Sequence, residues 1–327
     1  MPKITVIIPI YKVAQYIERC SRSLFEQTLD DIEYIFVDDK SPDESVSILQ
    51  AVIKDYPRRK NQVKLLHHKD NRGSATARNT GLDAATGEYV IHCDSDDWID
   101  KDAYEAAYKK AKECDADLVL FGFYWEYDGY NKPNYPITFR DKEDAFKCSL
   151  SGILHNAMWN KLIRRSVYTE HGIRWENGVN MQEDVSVMPR LFYFAKKVAT
   201  LGGCYYHYFQ GNAGSYTHVW PQANFDNCIR VVEILKDFLL KEKVYEKYKR
   251  YLAYYQCFIK SSMLYYSSIV QAKSLFYLFP EAKDYINGCP TIDDGAKKEL
   301  SSIKKMMKNK RKRIIKKKIR HLISVFK

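Results

Sequence analysis

An alternation of apolar, strand-like segments with helix-like segments over residues 1–125 constrains the fold of this chain more than any other feature. The predicted strands cover residues 4–11, 32–39, 63–68, 89–93 and 117–125. The predicted helices between them cover residues 14–27, 41–56, 74–85 and 102–114. Strands and helices that alternate in this way are typical of an α/β fold with a largely parallel sheet.

The second predicted helix has a recognisable beginning and end. We expect Ser41 as its N-cap, Pro42 as the first helical residue and Glu44 as the third, which together form a capping box. Pro57 is expected to stop the helix near Tyr56.

The rest of the chain is less regular. Residues 126–150 are polar and rich in turn formers, which predicts a loop or a hairpin, and residues 224–287 are predicted to be helical. No apolar run approaches the roughly 20 residues of a membrane-spanning helix. The N-terminal segment is interpreted as a first strand, not as a leader peptide, and the eight scattered cysteines contain no CxxC pair. Reduced thiols, no zinc site and a cytoplasmic location are therefore expected.

Two acidic clusters follow predicted strands. Asp38 and Asp39 end the second strand, and Asp94, Asp96 and Asp97 follow the fourth. Ligands of parallel sheets bind beyond the carboxyl ends of the strands, so both clusters are expected to face one crevice. Carboxylates spaced D-x-D suit Mg²⁺ or Mn²⁺, which take the remaining ligands from water and phosphates.

Helix capping is an alternative explanation for part of the second cluster. Asp97 or Asp100 would serve as a cap for the helix predicted to begin near Asp102. Asp97 is the residue of the cluster most easily explained by local structure, and we do not expect it to bind a metal.

Three linked motifs occur in order over residues 4–100: VIIPIYKVAQYIERCSRSLFEQT, IEYIFVDDKSPDES and DNRGSATARNTGLDAATGEYVIHCDSDD. In order, spacing and residue type, this chain resembles a family-2 glycosyltransferase of the kind that builds bacterial surface polysaccharides. The resemblance implies a GT-A, Rossmann-like nucleotide-sugar-binding fold with a mostly parallel central sheet and a helical C-terminal region. It also implies a GT-A domain over residues 1–220, followed by helices over 221–296 and a basic tail over 297–327.

The resemblance implies a nucleotide-sugar site made of Pro9, Tyr11, Asp38, Asp39, Asn71, Arg72, Gly73, Arg78, Asp94 and Asp96. Asp39 is expected at the base edge, with Asp38 as the alternative. Arg78 is expected either to reach a phosphate or to form a buried ion pair with the Asp94 cluster. Asp94 and Asp96 are the expected metal ligands, with Asp96 as the first choice.

Sugar transfer with inversion also needs a base that takes the proton of the acceptor hydroxyl. In the family, an acidic pair that opens a helix at this place supplies the base, which implies Asp184, with Glu183 as its alternative or support. Helix capping is the competing explanation. Trp159 and Lys161 are expected on the acceptor side, although Trp159 is equally compatible with an ordinary core position.

One departure from the family concerns the diphosphate. Members often carry an Arg late in the domain where this chain has Phe209. His207 or His218 is the expected substitute, and a structural role for either histidine is the alternative.

The basic charge of the chain is concentrated at its end. Residues 297–327 hold 14 Lys and Arg and one acid, whereas the remaining residues carry 38 basic and 40 acidic side chains. In that segment Ile315, Ile319, Leu322 and Phe326 fall on one face of a helix. A basic amphipathic helix is expected to bind an anionic membrane surface, and a frayed terminus is the alternative. Nucleic acid is not expected as a partner, because the rest of the chain is slightly acidic.

The combined expectation is an inverting, metal-dependent glycosyltransferase with a UDP-sugar donor and a glycan or lipid-linked saccharide acceptor. It would act in surface polysaccharide biosynthesis, peripherally on the inner face of the membrane. The alternative is a non-catalytic protein that keeps the fold and binds membrane or nucleic acid through its basic tail. This alternative stays open because Phe209 stands where the family often has an arginine.

Overall fold

The structure, a computed structural model, describes residues 1–212 and 220–325, with side chains described up to residue 316. These residues form two compact units. Residues 1–146 and 156–212 make up the first unit, and residues 147–155 and 220–325 make up the second.

The strands of the described chain all belong to one sheet. They are β1 (Ile4–Ile10), β2 (Ile32–Asp38), β3 (Val63–His67), β4 (Tyr89–His92), β5 (Trp98–Ile99), β6 (Leu118–Tyr127), β7 (Tyr130–Asn134), β8 (Lys161–Arg164) and β9 (Val198–Phe209). Their spatial order is β3-β2-β1-β4-β8-β6-β9-β5, with β7 beside β6. The first four strands run parallel, and β8 pairs antiparallel with β4. The predicted α/β fold is confirmed.

The helices connect these strands and continue into the second unit. They are α1 (Ile17–Phe25), α2 (Ser45–Asp55), α3 (Ser74–Ala84), α4 (Ala103–Cys114), α5 (Lys142–Ser151), α6 (Arg165–Glu170), α7 (Glu183–Phe194), α8 (Gln222–Lys241), α9 (Tyr245–Tyr266), α10 (Ile269–Leu275), α11 (Asp294–Leu300) and α12 (Ile303–Val325). Short 3₁₀ helices span Lys60–Gln62 and Pro280–Tyr285.

Helices cover both faces of the parallel strands. On one face, alternate residues of β1 pack with Ile17, Cys20 and Leu24 of α1 in a buried apolar cluster. On the other face α3 lies close to β1, because a Cβ added at Gly81 would sit 2.4 Å from Ile7 Cγ2. The start of α3 lies at the carboxyl end of β2, because the Gly73 amide donates to Asp39 at 2.7 Å.

The predicted capping box of α2 is wrong. The helix begins at Ser45, with Glu44 as a residue that makes no side-chain cap. Asp43 takes the role instead, and its Oδ1 accepts hydrogen bonds from the Ser45 amide at 3.2 Å and the Ser41 hydroxyl at 2.6 Å. Asp and Ser are about equally favourable at a helix N-terminus, so Asp43 can replace Ser41 in this role.

The region after β6 begins with a hairpin, one of the two forms predicted for residues 126–150. β6 and β7 pair antiparallel from Phe123 with Asn134 to Tyr127 with Tyr130. The prediction is wrong from Lys142, where α5 begins, because Asp141 Oδ1 accepts from the Asp144 amide at 2.8 Å and caps the helix. Helices α8, α9 and α10 occupy most of the segment that was predicted to be helical. All eight cysteines are present as thiols.

In the second unit, the start of α12 is packed against its neighbours. Met306 is 1% exposed and Lys310 is 3% exposed. The Lys310 ammonium donates to the carbonyls of Leu264 and Tyr265 at 2.6 and 2.8 Å, near the C-terminal end of α9, where unpaired carbonyls favour a cation. The first turns of the basic segment are therefore ordered structure and not a frayed terminus. Phe326, predicted to complete its apolar face, lies outside the described residues.

Over the residues described, no helix combines the length and the apolar character needed to cross a membrane.

Candidate active site

The carboxyl ends of β1, β2 and β4 meet at one edge of the sheet. Ile10 is in register with Asp38 on β2, and Ile7 is in register with His92 on β4. The Asp39 amide continues the ladder by donating to the Ile10 carbonyl at 3.0 Å. With this strand register, both acidic clusters lie at the same edge of the sheet, as the sequence predicts.

Asp39 joins the end of β2 to the loop before α3. Its two carboxylate oxygens accept hydrogen bonds from the amides of Arg72 at 2.9 Å and Gly73 at 2.7 Å. Its Oδ1 also lies 2.6 Å from His68 Nδ1. Gly73 has φ +85°, a backbone conformation that residues with a side chain rarely adopt. Asp39 thus shapes the loop that lines the predicted nucleotide pocket, and its role at the base edge stays a prediction.

The other predicted nucleoside residues lie at or near the ends of β1 and β2 and in the loop itself. Asp38 accepts from the Ser41 amide at 2.8 Å and lies 2.9 Å from His67 Nδ1. Tyr11, directly after β1, is 38% exposed. Pro9 lies near the end of β1, and Asn71 is exposed beside Arg72. These side chains share one edge of the sheet.

Arg78 connects the two halves of the candidate site. It lies in the second turn of α3 and is 4% exposed. Its guanidinium pairs with Asp94 at 2.9 Å and lies 3.7 Å from Asp184 and 3.9 Å from Glu183. Burial acts to lower the pKa of Arg78, but the charges of Asp184, Asp94 and Glu183 outweigh it and raise the pKa. Arg78 is therefore a permanent buried cation. Its ion pair with Asp94 is one of the two roles predicted for it.

The acidic pair at the start of α7 faces Arg78. Asp184 Oδ2 accepts a hydrogen bond from the Met158 amide at 3.3 Å, whereas Asp184 Oδ1 is buried and has no hydrogen-bond partner among the described residues. Burial raises the pKa of Asp184, and Arg78 opposes the shift. Glu183 accepts from the Ser74 hydroxyl at 3.1 Å. Burial, together with the Asp184 charge, raises the pKa of Glu183 to about 7.

The competing explanation, helix capping, is met in part, because both acids lie in the first turn of α7, where the helix dipole favours them. The N-cap of α7 is Gln182, which makes no side-chain cap. The partners of the two carboxylates come from α3 and from the segment before β8. An acid with a raised pKa and an unpaired oxygen in a polar site is well suited to receive a proton.

Asp97 anchors the acidic loop to β9. It is fully buried, and its two oxygens accept hydrogen bonds from the Tyr206 hydroxyl at 2.7 Å and the Phe209 amide at 2.8 Å. Burial raises its pKa far above the usual value, and the charges of Asp96 and Asp94 add to the shift. Asp97 therefore has the structural role expected of it, although it binds a strand and does not cap a helix.

Asp94 and Asp96 remain available at the loop surface. The Asp94 side chain is 31% exposed, and Asp96 Oδ2 accepts a hydrogen bond from the Asn212 amide group at 2.8 Å. Burial, and after it the charge of Asp94, raises the pKa of Asp96. The local negative charge is thus incompletely balanced, which favours a cation.

The donor set fits a magnesium or manganese ion that is shared with a ligand. Within residues 1–212 and 220–316, no three His, Cys, Asp or Glu side chains converge as a ready-made metal site. A magnesium or manganese ion is commonly bound by one or two protein carboxylates, and phosphates and water complete its coordination shell. Asp94 and Asp96 are therefore the residues that would hold the ion.

The ring of His207 is enclosed. It stacks between Trp98 and Tyr124, with ring centroids 5.0 Å away on each side. Its nitrogens lie 2.7 Å from a Glu126 oxygen and 3.1 Å from an Asp100 oxygen. Each nitrogen thus faces a carboxylate, which gives His207 the structural role that was its alternative. His218, the other suggested substitute for the missing arginine, lies outside the described residues.

The predicted acceptor-side residues are buried. Trp159 is 3% exposed and stacks on Tyr206 with centroids 4.3 Å apart, so it occupies the core position that the sequence left open. Lys161 is fully buried, and its ammonium donates to the Ala157 carbonyl at 2.7 Å and to Asn160 Oδ1 at 2.6 Å. Burial lowers the pKa of Lys161 to about 7. A direct substrate contact by either side chain stays a prediction.

Two positioning residues were not found by the sequence reasoning. Asn180 accepts a hydrogen bond from the Ala75 amide at 3.2 Å at the start of α3. The Tyr206 hydroxyl bonds to Asp97 and also accepts from the Asp94 amide at 3.0 Å. Both contacts join segments about 100 residues apart, so no local sequence pattern signals them.

Comparison with known proteins identifies the family. Residues 5–172 match the family described as glycosyl transferase family 2. The chain is 30% identical over 258 residues to the putative glycosyltransferase EpsH of Bacillus subtilis, covering 77% of this chain and 73% of that protein. It is 28% identical over 298 residues to the cholesterol galactosyltransferase of Borreliella burgdorferi, covering 84% of this chain and 79% of that protein.

A solved structure has the same fold. The crystal structure of S. aureus TarS 1-349 in complex with UDP-GlcNAc superposes with a TM-score of 0.66 at 19% identity, covering 94% of this chain and 89% of that one. The predicted GT-A fold is confirmed. The chain belongs to glycosyl transferase family 2, as the linked motifs indicated, and is a glycosyltransferase.

The acidic pair predicts the pH dependence of sugar transfer. A base must be ionised to accept a proton. The proton that the Glu183–Asp184 pair takes up at about pH 7 is shared between the two neighbouring carboxylates, so the rate should fall as the pH drops through about 7. In Glu183→Gln one of the two neighbouring charges is gone, so Asp184 should ionise more easily and the acidic limb should move to lower pH, by roughly one unit. Initial transfer rates between pH 5 and 9 measure the limb.

The exposed Glu170 of α6 provides the control, because Glu170→Gln makes the same chemical change away from Arg78. Its pH profile should match the wild type. An unshifted limb in Glu183→Gln would contradict the coupling, and complete loss of transfer at every pH would identify Glu183 as the base in place of Asp184.

Proposed function

We propose that this glycosyltransferase moves a sugar from a UDP-sugar to a saccharide or lipid-linked saccharide acceptor, with inversion at the anomeric carbon. The observation that carries the proposal is the single guanidinium of Arg78 between Asp94 on the candidate donor side and the Asp184–Glu183 pair on the candidate base side. A donor held at Asp94 and an acceptor activated by Asp184 would meet around this cation.

The donor would lie over the carboxyl ends of β1, β2 and β4. Pro9, Tyr11, Asp38 and Asp39 would hold the nucleoside, with the loop at residues 71–73 beside it. Asp94 and Asp96 would hold Mg²⁺ or Mn²⁺, which when bound neutralises negative charge on the diphosphate leaving group. TarS, which has the same fold, was crystallised with UDP-GlcNAc, and this supports a UDP-sugar as the donor class.

The base would be Asp184. The acceptor hydroxyl oxygen attacks the anomeric carbon from the face opposite the diphosphate, and the bond between that carbon and the phosphate oxygen breaks. The nucleoside diphosphate leaves with the bonding electrons, and the hydroxyl proton passes to Asp184 Oδ1, the oxygen without a hydrogen-bond partner in the described structure. Arg78 and the Met158 amide would keep the carboxylate in place.

The acceptor is proposed to be presented at an anionic membrane. α12 contains 11 Lys and Arg residues and no acid, and its residue Ile315 is 58% exposed. Ile315 is nine positions from the buried Met306, about half a turn around the helix axis, so it faces away from the packed side. The relative named for galactosyl transfer to cholesterol, a membrane lipid, also supports an acceptor of this kind.

A non-catalytic role is the weaker proposal. The family assignment is that of an enzyme, and the carboxylates at positions 94, 96 and 184 are all present. Both ring nitrogens of His207 face carboxylates, so this histidine does not take the place of the missing arginine.

Donor binding provides the direct test of the function. Calorimetry should show UDP binding that is stronger with Mn²⁺ than with EDTA, because Asp94 and Asp96 share the ion with the diphosphate. Asp96→Ala should remove the Mn²⁺ dependence and leave uridine binding unchanged. UDP binding that ignores both the metal and the Asp96 substitution would contradict the proposed metal site, and transfer from a donor with another base would contradict the UDP assignment.

Vesicle binding tests the proposed membrane surface. The exposed residues Arg311, Lys312 and Lys316 can be changed to Gln without touching the buried Lys310. At about 1 kcal/mol for each cation, the triple variant should bind phosphatidylglycerol vesicles roughly a hundredfold more weakly. A matched triple variant at the exposed Lys241, Lys243 and Lys283 should bind like the wild type. Equal losses in the two variants, or no loss in either, would contradict a role for α12.

A further inference from the structure

Arg19 is an exposed arginine beside the acidic loop. It is the third residue of α1, the helix that follows β1, and it belongs to a face of that helix that does not enter the core. It matches none of the roles that the family motifs imply. Its position nevertheless differs from that of an ordinary surface arginine, because three separate contacts fix its guanidinium.

The first contact is with the loop itself. Arg19 Nη2 donates to the Asp96 carbonyl at 2.9 Å. The other two contacts are with aromatic rings: the guanidinium carbon lies 3.7 Å from the centroid of the Trp98 ring and 4.8 Å from that of Phe209. A guanidinium stacked on aromatic rings in this way is held by cation–π attraction and loses little further freedom when it binds a ligand.

Arg19 forms no close ion pair within the described residues, although the charges of Asp97 and Asp96 act on its guanidinium from a longer distance. Among residues 1–212 and 220–316, no carboxylate lies within 4 Å of its guanidinium nitrogens, and its hydrogen bond goes to a backbone carbonyl. Arg78, the other cation near the loop, is shared by three carboxylates. A fixed guanidinium with spare N–H donors therefore stands next to the proposed metal ligand Asp96.

We propose that Arg19 binds the diphosphate of the sugar donor, an inference that rests on the proposed function. A departing diphosphate carries more negative charge than one divalent ion neutralises, so a second cation stabilises it. The planar guanidinium suits this task because it can donate two parallel N–H bonds to phosphate oxygens. The cation comes from α1, and Phe209 on β9, where the family often has an arginine, supplies part of the aromatic surface that supports it.

The competing explanation is that Arg19 only holds the acidic loop in place. In that case its loss would act through the metal ligand Asp96 and would matter only when a metal is bound. A direct contact with the diphosphate would matter with and without metal. Both explanations leave the nucleoside contacts at β1 and β2 intact, so uridine serves as an internal reference.

The experiment compares UDP with uridine by calorimetry, in Mn²⁺ and in EDTA. Arg19→Gln should lower the ratio of UDP affinity to uridine affinity roughly tenfold or more in both conditions, the size expected for charge-assisted hydrogen bonds. Arg19→Lys keeps the charge but not the planar fork, so it should give a smaller loss. Arg22→Gln is the matched control, since Arg22 lies on the same helix and pairs with Glu18 and Asp55.

The outcomes separate the proposals. Four results would each overturn the role of Arg19 while leaving the UDP donor in place. Two of them concern the affinity ratio in Arg19→Gln: no change, or a loss only in Mn²⁺. The other two are an equal loss of uridine affinity in Arg19→Gln and the same loss of the ratio in Arg22→Gln. A wild-type protein that binds UDP no better than uridine would contradict the proposed donor and the Arg19 contact together. If Arg19→Gln does not fold, the ratio measured in Arg19→Lys decides.

Discussion

The buried guanidinium of Arg78 is the interaction on which the candidate site depends. Asp94, Glu183 and Asp184 come from two segments about 90 residues apart, and the Arg78 guanidinium lies 2.9, 3.9 and 3.7 Å from them. Without the cation, three carboxylates would repel one another in a medium of low dielectric. Arg78 is itself held by α3, whose close approach to β1 depends on the absence of a side chain at Gly81. Core packing and site electrostatics are therefore linked through one helix.

This arrangement also explains why the two carboxylates of α7 differ. Asp184 is bound on one oxygen by a backbone amide and faces Arg78 with the other, whereas Glu183 is raised in pKa by burial and by its neighbour. A pair of acids with unequal surroundings can hold one proton between them near neutral pH. Such a pair is suited to accept the proton of a hydroxyl and release it later. The second unit has a different character, with a basic helix anchored by the buried Lys310.

Local patterns in the sequence predicted β1 to β4, β6, most helices and the edge of the sheet where the acids gather, because apolar periodicity and strand-end chemistry are short-range properties. The strands β5, β8 and β9 were not predicted. Local patterns also did not identify the partners that distant segments supply. The bonds of Asp97 to Tyr206 and Phe209 require the return of β9, and the burial of Trp159 depends on the same strand. Asp43 displaced the predicted capping box because it also binds the Ala14 amide across the loop between β1 and α1. Arg19 escaped notice because its significance lies in rings from two other elements.

The central claim is that Asp184 removes the acceptor proton in a site where the donor is bound independently. The most direct measurement is sugar transfer by Asp184→Asn, followed in parallel with its affinity for UDP. Asparagine keeps the shape of the side chain but cannot accept a proton, so transfer should fall at least a hundredfold, the lower range of general-base catalysis, while UDP affinity stays close to that of the wild type. Turnover near the wild-type rate in Asp184→Asn would contradict the account.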